Sequence, residues 1–285
     1  MSDIVYFIED DHSYWIRDRR LTSATTFIKQ FAEPYPQDYW LSYKAVEKVM
    51  GDEFRDWKDK YFKGERKPNL KWYLKLAFKD ISLKEYSEAR EAIKLKWKTK
   101  SELSSSRGTA FHEKMEKSFI DTKWSINPFT GKKFDTIVWD KYMDNESYPG
   151  GLKELPDGFY PELLIYDLET GIAGQSDMIW IETIDKVRYV DSDDWKTNEK
   201  RPNPKGSYFD MYREPISHLP CSKYVTYSLQ SSLYAYMMEK EGFVRRHGAI
   251  THVVDYDENK VEQIEVPYHK DEIESMIKYH QQLQV

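Results

Sequence analysis

The sequence predicts an α/β protein with a mainly antiparallel central sheet flanked by helices, together with an N-terminal helical region. Residues 158–197 form three short apolar runs separated by Leu168–Gly171 and Thr183–Lys186, a pattern typical of an antiparallel meander. Residues 39–100 instead repeat apolar and aromatic side chains every three or four positions, as α-helices do. The same spacing over residues 223–241 predicts an amphipathic helix after the sheet.

Shorter elements surround these regions. Residues 104–108, Ser-Ser-Ser-Arg-Gly, predict a loop, because serine and glycine are weak helix formers; a helix is expected from Thr109 to about Ile120. The proline-rich stretch 198–222 predicts irregular structure. The other expected elements are a hairpin over 4–8 and 14–16, a helix near 23–31, a break at Pro34 and Pro36, a hairpin over 248–255 and 260–267 around Asp257–Asn259, and a helix from about Lys270.

Composition excludes several classes of protein. No apolar run approaches the roughly 18 residues of a membrane span, and the acidic N-terminus resembles no secretory or organellar leader. We therefore expect an intracellular protein with no membrane partner. The single cysteine, Cys221, excludes a disulfide framework, a Cys-ligated zinc finger and a four-cysteine iron–sulfur cluster. A metal would be held by oxygen ligands with at most a histidine, which favours Mg²⁺ or Mn²⁺.

Charge is distributed unevenly along the chain. The net charge is −6, yet residues 58–107 contain 15 Lys and Arg against 7 Asp and Glu, a local balance of +8. Basic charge among aromatic rings favours a surface that follows a nucleic-acid backbone and stacks bases. The alternative is a helical region with a core of aromatic side chains and solvated lysines. The aromatic residues are Tyr61, Phe62, Trp72, Tyr73, Phe78, Tyr86 and Trp97.

The meander carries acidic residues where apolar ones are expected. Asp194 and Lys196 share a face of the third run, because strand side chains alternate, and Asp177 is expected across the hairpin from them. Two carboxylates about 5 Å apart repel by roughly 3 kcal/mol at an effective dielectric near 20. A cation bound between them would remove that cost. The arrangement predicts a divalent-metal site with an adjacent ammonium, which suits phosphodiester hydrolysis.

Flanking segments add further candidates. His112 and Glu116 lie one turn apart on one face of a predicted helix. Gly108, at the expected start of that helix, permits close approach of a backbone or phosphate. The remaining candidates are Thr109 beside that glycine, Glu162 after the proline of the first β-run, and the i, i+4 pair Gln230 and Tyr234 on the later helix.

The order of these motifs resembles a known family. The pattern G-T-x-x-H-x-x-x-E, E…G-Q-x-D, D-W-K-T and Q-x-x-x-Y over about residues 105–240 is similar to the RecB-like branch of the PD-(D/E)XK nuclease superfamily. Residues 215–236 look most like phage-encoded members. His12–Tyr14 and Leu21–Thr25 are similar to the opening of the phage and mitochondrial exonucleases. The resemblance implies a restriction-endonuclease-like core.

The resemblance also implies residue roles. His112, Asp177, Asp194 and the backbone carbonyl of Trp195 would ligate Mg²⁺ or Mn²⁺, as one or two ions, with no iron–sulfur cluster. Glu162 would serve a second metal or orient a bound water. Lys196 would position or deprotonate the attacking water. The supporting residues and those that would contact DNA are Gly108, Thr109, Gln230, Tyr234, Thr197 and Glu116, the last of these expected as a salt-bridge partner.

We expect from the resemblance a metal-dependent deoxyribonuclease, an exonuclease that acts on single-stranded or frayed DNA ends. It would work with phage replication or recombination proteins, in the host cytoplasm if phage-encoded. Residues 1–100 would form a hairpin and a helical, DNA-gripping arch, and residues 101–285 the nuclease core. The alternatives are a structure-specific endonuclease with the same site and a catalytically silent DNA-binding accessory protein. A small-molecule phosphatase is disfavoured, because no Gly-rich phosphate cradle is present.

Overall fold

The computed structural model describes residues 4–63, 65, 67–204, 210–255 and 260–282. Two compact units divide the chain: Met1–Glu33 with Gly108–Val285, and Pro34–Arg107. The N-terminal hairpin therefore belongs with the sheet, whereas the sequence grouped it with the helical region in residues 1–100. The reason is a strand pairing between distant parts of the chain, described below.

Ten strands occur in the described residues. They are β1 (Val5–Ile8), β2 (Ser13–Ile16), β3 (Arg19–Ser23), β4 (Trp124–Ile126), β5 (Lys133–Asp135), β6 (Gly158–Asp167), β7 (Ile172–Ile184), β8 (Val187–Lys196), β9 (Phe243–Asp255) and β10 (Lys260–Glu265). Strands β4 and β5 form a separate hairpin. The turn expected at Asp257–Asn259 lies outside the described residues.

The other eight strands form one mixed sheet, in the order β1-β2-β3-β7-β8-β9-β10, with β6 paired to β7. The predicted antiparallel meander is confirmed as β6, β7 and β8. Two pairings in the described sheet are parallel, β3 with β7 and β8 with β9. The sheet is therefore mixed, and the prediction of a mainly antiparallel sheet was only partly right. The strands that pair in parallel with the meander, β3 and β9, lie outside it, because parallel neighbours must be joined by a long connection.

Helices flank the sheet and form the second unit. The predicted helices near residues 23–31, 223–241 and 270 are confirmed, the first two with serine N-caps at Ser23 and Ser222. No helix in the described part of the chain is both long and apolar enough to cross a membrane. The helices are α1 (Ala24–Lys29), α2 (Gln37–Met50), α3 (Phe54–Phe62), α4 (Leu70–Ala77), α5 (Leu83–Thr122), α6 (Lys223–Lys240) and α7 (Lys270–Gln282), with 3₁₀ turns at Gly51–Glu53, Tyr142–Asp144 and Leu152–Glu154.

The loop predicted at residues 104–108 is wrong, because α5 runs without interruption from Leu83 to Thr122. Serine costs a helix only a few tenths of a kcal/mol and glycine about 1 kcal/mol relative to alanine. Packing further along the helix offsets penalties of this size. Phe111 is 7% exposed, and its ring lies 5.4 Å from that of Trp195 on β8. The helix is thereby held against the sheet just beyond the weak segment.

The core of the sheet unit lies between the sheet and helices α1, α6 and α7. Phe27, Leu163, Ile179, Leu229 and Ile273 are each at most 1% exposed there. Apolar residues of the opposite face, among them Phe159 and Trp180, form a smaller cluster. Two covered faces explain why β7 is apolar along most of its length rather than strictly alternating.

The second unit has an aromatic core, which the sequence left as one of two interpretations. Phe62 and Tyr73 are buried in it, as the core interpretation expected. Tyr61 and Trp72 are instead 40% and 52% exposed. A lysine ammonium lies over each of these exposed rings, at 5.0 Å and 5.6 Å from the ring centroid. The region therefore combines a packed core with exposed basic and aromatic pairs.

Candidate functional site

Three carboxylates lie in a row across the meander. Strands β6 and β7 pair Pro161 with Met178 and Leu163 with Ser176, so the intervening Glu162 lies across from Asp177. One position beyond the pair Met178–Asp193 of β7 and β8, the Asp177 amide donates a hydrogen bond to Asp194 Oδ1. Neighbouring strands are about 4.8 Å apart, so the three side chains span the width of three strands. The expectation that Asp177 and Asp194 meet across the hairpin is confirmed.

Glu162 joins the row through an unusual backbone conformation. Its φ of +47° lies in the left-handed region, which few residues with a side chain adopt. Tyr160 and Leu163, three positions apart on β6, both enter the same core cluster, which regular alternation does not allow. The left-handed residue shifts the alternation of the strand by one position. Strain of this kind is concentrated at functional sites.

Helix α5 brings a histidine to this row. His112 Nδ1 lies 3.3 Å from Asp177 Oδ1 and 3.5 Å from Glu162 Oε1. One potential ligand atom from each of the three residues lies within 4.8 Å of the other two, a spacing that fits a metal ion. One imidazole nitrogen and two carboxylates are ligands that suit Mn²⁺. Mg²⁺ prefers oxygen and would be held mainly by the carboxylates. The structure thus groups Glu162, rather than Asp194, most closely with His112 and Asp177.

Asp194 lies beside this group and has other partners. Its Oδ2 is 3.1 Å from the ammonium of Lys196. Its Oδ1 accepts hydrogen bonds from the Asp177 amide at 3.1 Å and from Ser176 Oγ at 3.3 Å. The Trp195 amide donates to Asp177 Oδ2 at 2.5 Å. This bond ties β8 to the central carboxylate, whereas a ligand role for the Trp195 carbonyl stays a prediction.

The proximity of the carboxylates and the histidine changes their proton affinities. Burial would lower the pKa of His112, but the charges and hydrogen bonds of Asp177 and Glu162 raise it to about 10. Burial, together with the charge of Asp177, raises the pKa of Glu162 to about 7 despite the opposing effect of His112. The two carboxylates therefore favour the protonated imidazole of His112.

Lys196 keeps its proton. Burial would lower its pKa, but the carboxylates of Asp194 and Asp177 outweigh burial and raise it. For Asp194, burial raises the pKa, and the charge of Lys196 opposes that rise. Positioning and charge stabilisation, expected for Lys196, suit this protonated form, and deprotonation of the attacking water stays a prediction.

Tyr227 is a contact of Lys196 that the sequence did not identify. The Lys196 ammonium lies 4.8 Å from the centroid of the Tyr227 ring, a cation–π distance. The Tyr227 hydroxyl donates to Asn198 Oδ1 at 2.6 Å, and the Asn198 carbonyl oxygen lies 2.8 Å from His252 Nε2. The lysine is thus held between a carboxylate and an anchored aromatic ring. No local motif links Tyr227 to Lys196, because the residues lie 31 positions apart on different elements.

The row opens into a cavity of about 430 Å³. Its lining includes every residue that the sequence proposed for the site except Trp195 and Thr197. The proposed residues that line it are Gly108, Thr109, His112, Glu116, Glu162, Asp177, Asp194, Lys196, Gln230 and Tyr234.

Gln230 and Tyr234 brace one wall. Gln230 Nε2 donates to the Tyr234 hydroxyl at 3.0 Å, and Tyr234 is only 3% exposed. A Cβ at Gly174 would lie 2.6 Å from that hydroxyl oxygen, so the glycine provides the space that the tyrosine fills. The bracing role expected for this pair is consistent with the structure, and contact with DNA stays a prediction.

Gly108 has a different position from the one expected. It lies inside α5 rather than at a helix start, so its amide belongs to the helix and offers no terminal N–H to a phosphate. A Cβ there would lie 3.1 Å from Thr197 Oγ1. The glycine therefore allows the helix to approach the end of β8, which is the physical reason for a small residue at this point.

Part of the cavity wall comes from the N-terminal hairpin and the start of α1, to which the sequence assigned no site role. His12, itself at a φ of +53°, packs against Phe7 in a T-shaped arrangement with 4.9 Å between the ring centroids. The hairpin and α1 residues that line the cavity are Phe7, Glu9, His12, Tyr14, Ser23 and Thr25. Gln175, quoted only as part of the G-Q-x-D motif, also lines it. The only sequence signal was the likeness of His12–Tyr14 and Leu21–Thr25 to the opening of phage and mitochondrial exonucleases.

No protein-family model matches the chain, and no curated protein matches it significantly. The residues of the cavity and their order in the sequence therefore carry the functional argument.

Proposed function

We propose that this protein is a divalent-metal-dependent DNA nuclease of the RecB-like PD-(D/E)XK type. One observation carries the proposal: an imidazole, three carboxylates and a protonated lysine converge in a single cavity from α5 and three adjacent strands. Three separate motifs of the sequence supply these groups. Hydrolysis of a phosphodiester needs positive charge beside the phosphoryl oxygens and a positioned water, and this set of residues supplies both.

The residues fit a divalent cation. His112, Glu162 and Asp177 would hold it, with Asp194 adjacent as a further carboxylate. The proposed cofactor is Mg²⁺ or Mn²⁺, as one or two ions. When bound, such an ion supplies positive charge that polarises the phosphoryl group and acidifies a coordinated water. The carboxylates also need a counter-charge at neutral pH, which the protonated His112 supplies without metal.

The remaining groups position the substrate and the water. Lys196, fixed between Asp194 and Tyr227, would orient the attacking water and offset the negative charge of the transition state. Asp194 would hold Lys196 in place and accept a hydrogen bond from the water. Gln230 and Tyr234 would support this wall, since groups that fix the orientation of catalytic side chains are needed as much as those side chains themselves.

The proposed substrate is single-stranded DNA or a frayed end, cleaved by an exonuclease that serves phage replication or recombination in the host cytoplasm. The local balance of +8 over residues 58–107 supports a polyanionic partner. The exposed, lysine-covered rings of Tyr61 and Trp72 support stacking on unpaired bases. The acidic charge of the rest of the chain would discourage general coating of duplex DNA.

Labelled DNA tests the proposal. Single and double strands labelled at either end should be degraded with Mg²⁺ or Mn²⁺ and preserved in EDTA. Asp194→Asn should abolish cleavage and retain DNA binding. Asp185→Asn is a matched control, since Asp185 is exposed in the β7–β8 turn at a φ of +49° that asparagine tolerates. Full activity of the Asp194 variant would refute the assigned site.

A second substrate pair separates the two modes of cleavage. An exonuclease spares closed circular single-stranded DNA and degrades its linear copy, whereas a structure-specific endonuclease cuts both. A protein that binds these DNAs but cleaves none of them, with either ion, would be the catalytically silent accessory.

A further inference from the structure

The β4–β5 hairpin exposes apolar and basic side chains that the proposed active site does not use. The hairpin forms a two-stranded sheet of its own. Trp124 and Ile126 alternate with the buried Ser125 on β4 and are 40% and 52% exposed. Lys133, the cross-strand partner of Ile126, is exposed as well, and its ammonium lies 4.3 Å from the centroid of the Trp124 ring. We call Trp124, Ile126 and Lys133 the hairpin face.

The opposite side of the hairpin fastens it to the sheet. Asn127 Nδ2 donates a hydrogen bond to Asp191 Oδ2 at 2.6 Å. The Lys132 ammonium lies 2.8 Å from Glu182 Oε1, and Phe134 is buried in the apolar cluster on this side of the sheet. These contacts come from both strands and from the turn between them. The hairpin face is therefore held in a fixed orientation and points away from the sheet.

The charge around the hairpin differs from that of the rest of its unit. Arg246 and Lys132 pair with Asp191 and Glu182 beneath the hairpin, so these four buried or half-buried groups are neutral together. Residues 34–107 carry +6, so the sheet unit carries −12. The other charges over residues 117–135 are all exposed and give a local balance of +1; they are Lys117, Lys123, Lys133, Asp121 and Asp135. The hairpin is thus a basic place on an acidic unit, which favours an anionic partner.

The position of Lys133 favours a nucleic acid over a protein as that partner. The cores of protein–protein interfaces are depleted of lysine, yet here an ammonium lies over the exposed Trp124 ring itself. Surfaces that bind single strands combine aromatic rings, on which bases stack, with cations that contact the backbone. Tyr61 and Trp72 of the second unit have the same combination of an exposed ring and a lysine. Unpaired bases on a phosphate backbone match both features of the hairpin face.

Helix α5 sets the distance between the hairpin face and the metal-site residues. His112 lies ten residues before Thr122, the last residue of α5, and β4 begins at Trp124. Ten residues of α-helix are about 15 Å long. A stacked strand rises about 3.4 Å per nucleotide, so about four or five nucleotides cover this distance. A DNA strand whose end lies at the row of carboxylates is therefore long enough to reach the hairpin after a few nucleotides.

We propose that the hairpin face is a binding site for single-stranded DNA. A base about four or five nucleotides from the metal-site residues stacks on Trp124, and Lys133 contacts the neighbouring phosphate. This inference rests on the proposed function, because that function supplies the strand and places its end at the row of carboxylates. Its residues belong to the sheet unit and are distinct from the basic and aromatic residues of the second unit.

Binding of oligothymidylates in EDTA, without cleavage, tests the inference. Fluorescence anisotropy of end-labelled strands from about 3 to about 16 nucleotides gives the affinity as a function of length. The wild-type affinity should rise once the strand exceeds about four or five nucleotides. Trp124→Ala should lack this rise and bind the longer strands about 5- to 150-fold more weakly, the loss expected for one stacked base.

The choice of replacement separates stacking from apolar contact. Trp124→Phe keeps an aromatic ring and should keep most of the affinity. Trp124→Leu keeps only apolar surface and should bind as weakly as Trp124→Ala. Tyr279→Ala removes a ring of similar exposure, 39%, from α7 and should bind as the wild type does. Thermal melting checks that each variant is folded.

Lys133→Gln gives a second readout that leaves the ring in place. Loss of one phosphate contact should reduce the slope of log affinity against log salt by about 0.7 for a single strand. Lys278→Gln, an exposed lysine on α7, should leave the slope unchanged. An unchanged slope in Lys133→Gln overturns the phosphate contact.

The results for Trp124 and for cleavage are independent of each other. Equal affinity of the wild type and Trp124→Ala at every length overturns the inference, as does full affinity of Trp124→Leu. If the wild type still cleaves labelled DNA with Mg²⁺ or Mn²⁺, the proposed nuclease function stands without the hairpin face. A wild type that binds through Trp124 but cleaves no DNA with either ion supports the hairpin face and overturns the nuclease function.

Discussion

Protons and metal ions should compete for His112, and this competition predicts the pH dependence of metal binding. An imidazole nitrogen must be deprotonated to bind a metal. Asp177 and Glu162 overcome the effect of burial and raise the pKa of His112 to about 10, so below that pH each bound ion displaces a proton. The sign is therefore fixed: affinity rises with pH through the whole neutral range.

The magnitude follows from the two pKa values. While pH stays below the pKa of His112, each pH unit changes the apparent affinity by about tenfold. From pH 6 to pH 8 His112 therefore contributes about 100-fold. Glu162, with a pKa of about 7, crosses its titration in the same interval and contributes about another tenfold. We expect Mn²⁺ to bind about 1,000-fold more tightly at pH 8 than at pH 6.

Calorimetric titration with Mn²⁺ measures this without DNA. Titrations in two buffers of different ionisation enthalpy also count the protons released, which should be close to one at pH 8 and nearer two at pH 6. In His112→Gln only the smaller dependence from Glu162 should remain. His218→Gln, a change of an exposed histidine next to Glu272, should behave as the wild type. A change in wild-type affinity below about tenfold across this range would refute the reasoning.

Three further predictions concern residues around the row. Tyr227→Leu removes the ring beside Lys196 and should slow DNA cleavage by about tenfold, within the 0.5–2 kcal/mol range of cation–π contacts, while Mn²⁺ affinity measured by calorimetry stays unchanged; an equal loss of metal binding would contradict the positioning role. Gly174→Ala places a Cβ 2.6 Å from the Tyr234 hydroxyl and should cost about 1–3 kcal/mol of unfolding free energy in urea titration, as overpacking does. Tyr234→Leu should relieve most of that cost in the double variant, and additive losses would argue against the clash. Asp191→Asn disrupts a fully buried carboxylate paired with a guanidinium on β9 and should cost about 3–5 kcal/mol in the same titration; a loss below about 0.5 kcal/mol would show that the pair is not needed.

Local sequence pattern was sufficient for the meander and for its two aspartates. Strands β6, β7 and β8 lie within the predicted residues 158–197, because short turns fix the register of antiparallel neighbours. Once that register is fixed, Asp177 and Asp194 must be cross-strand neighbours, and alternation then places Lys196 beside Asp194. The motif order also grouped His112, Glu116, Gln230 and Tyr234 with these residues, and all four line the same cavity.

The same local reasoning failed at residues 104–108 and at Gly108. Serine and glycine predicted a loop there, but the differences in helix propensity that support such a prediction amount to about 1 kcal/mol per residue at most. Burial of a side chain such as Phe111 against Trp195 contributes about 1.5–3 kcal/mol, which exceeds that difference. A weak local preference gives way when tertiary contacts of similar energy oppose it.

The sequence alone therefore determined most of the chemical groups that meet in the cavity, since spacing along strands and helices fixes which neighbouring side chains share a face. Only the tertiary structure decided how these groups are completed. The left-handed backbone at Glu162 brings that side chain into the row of carboxylates, and the Tyr227 ring lies against the Lys196 ammonium. Glu9 and His12 line the cavity from a hairpin more than 90 residues before His112 in the chain. These contacts join parts of the chain that are far apart, and they depend on how whole elements pack together, which no local periodicity specifies.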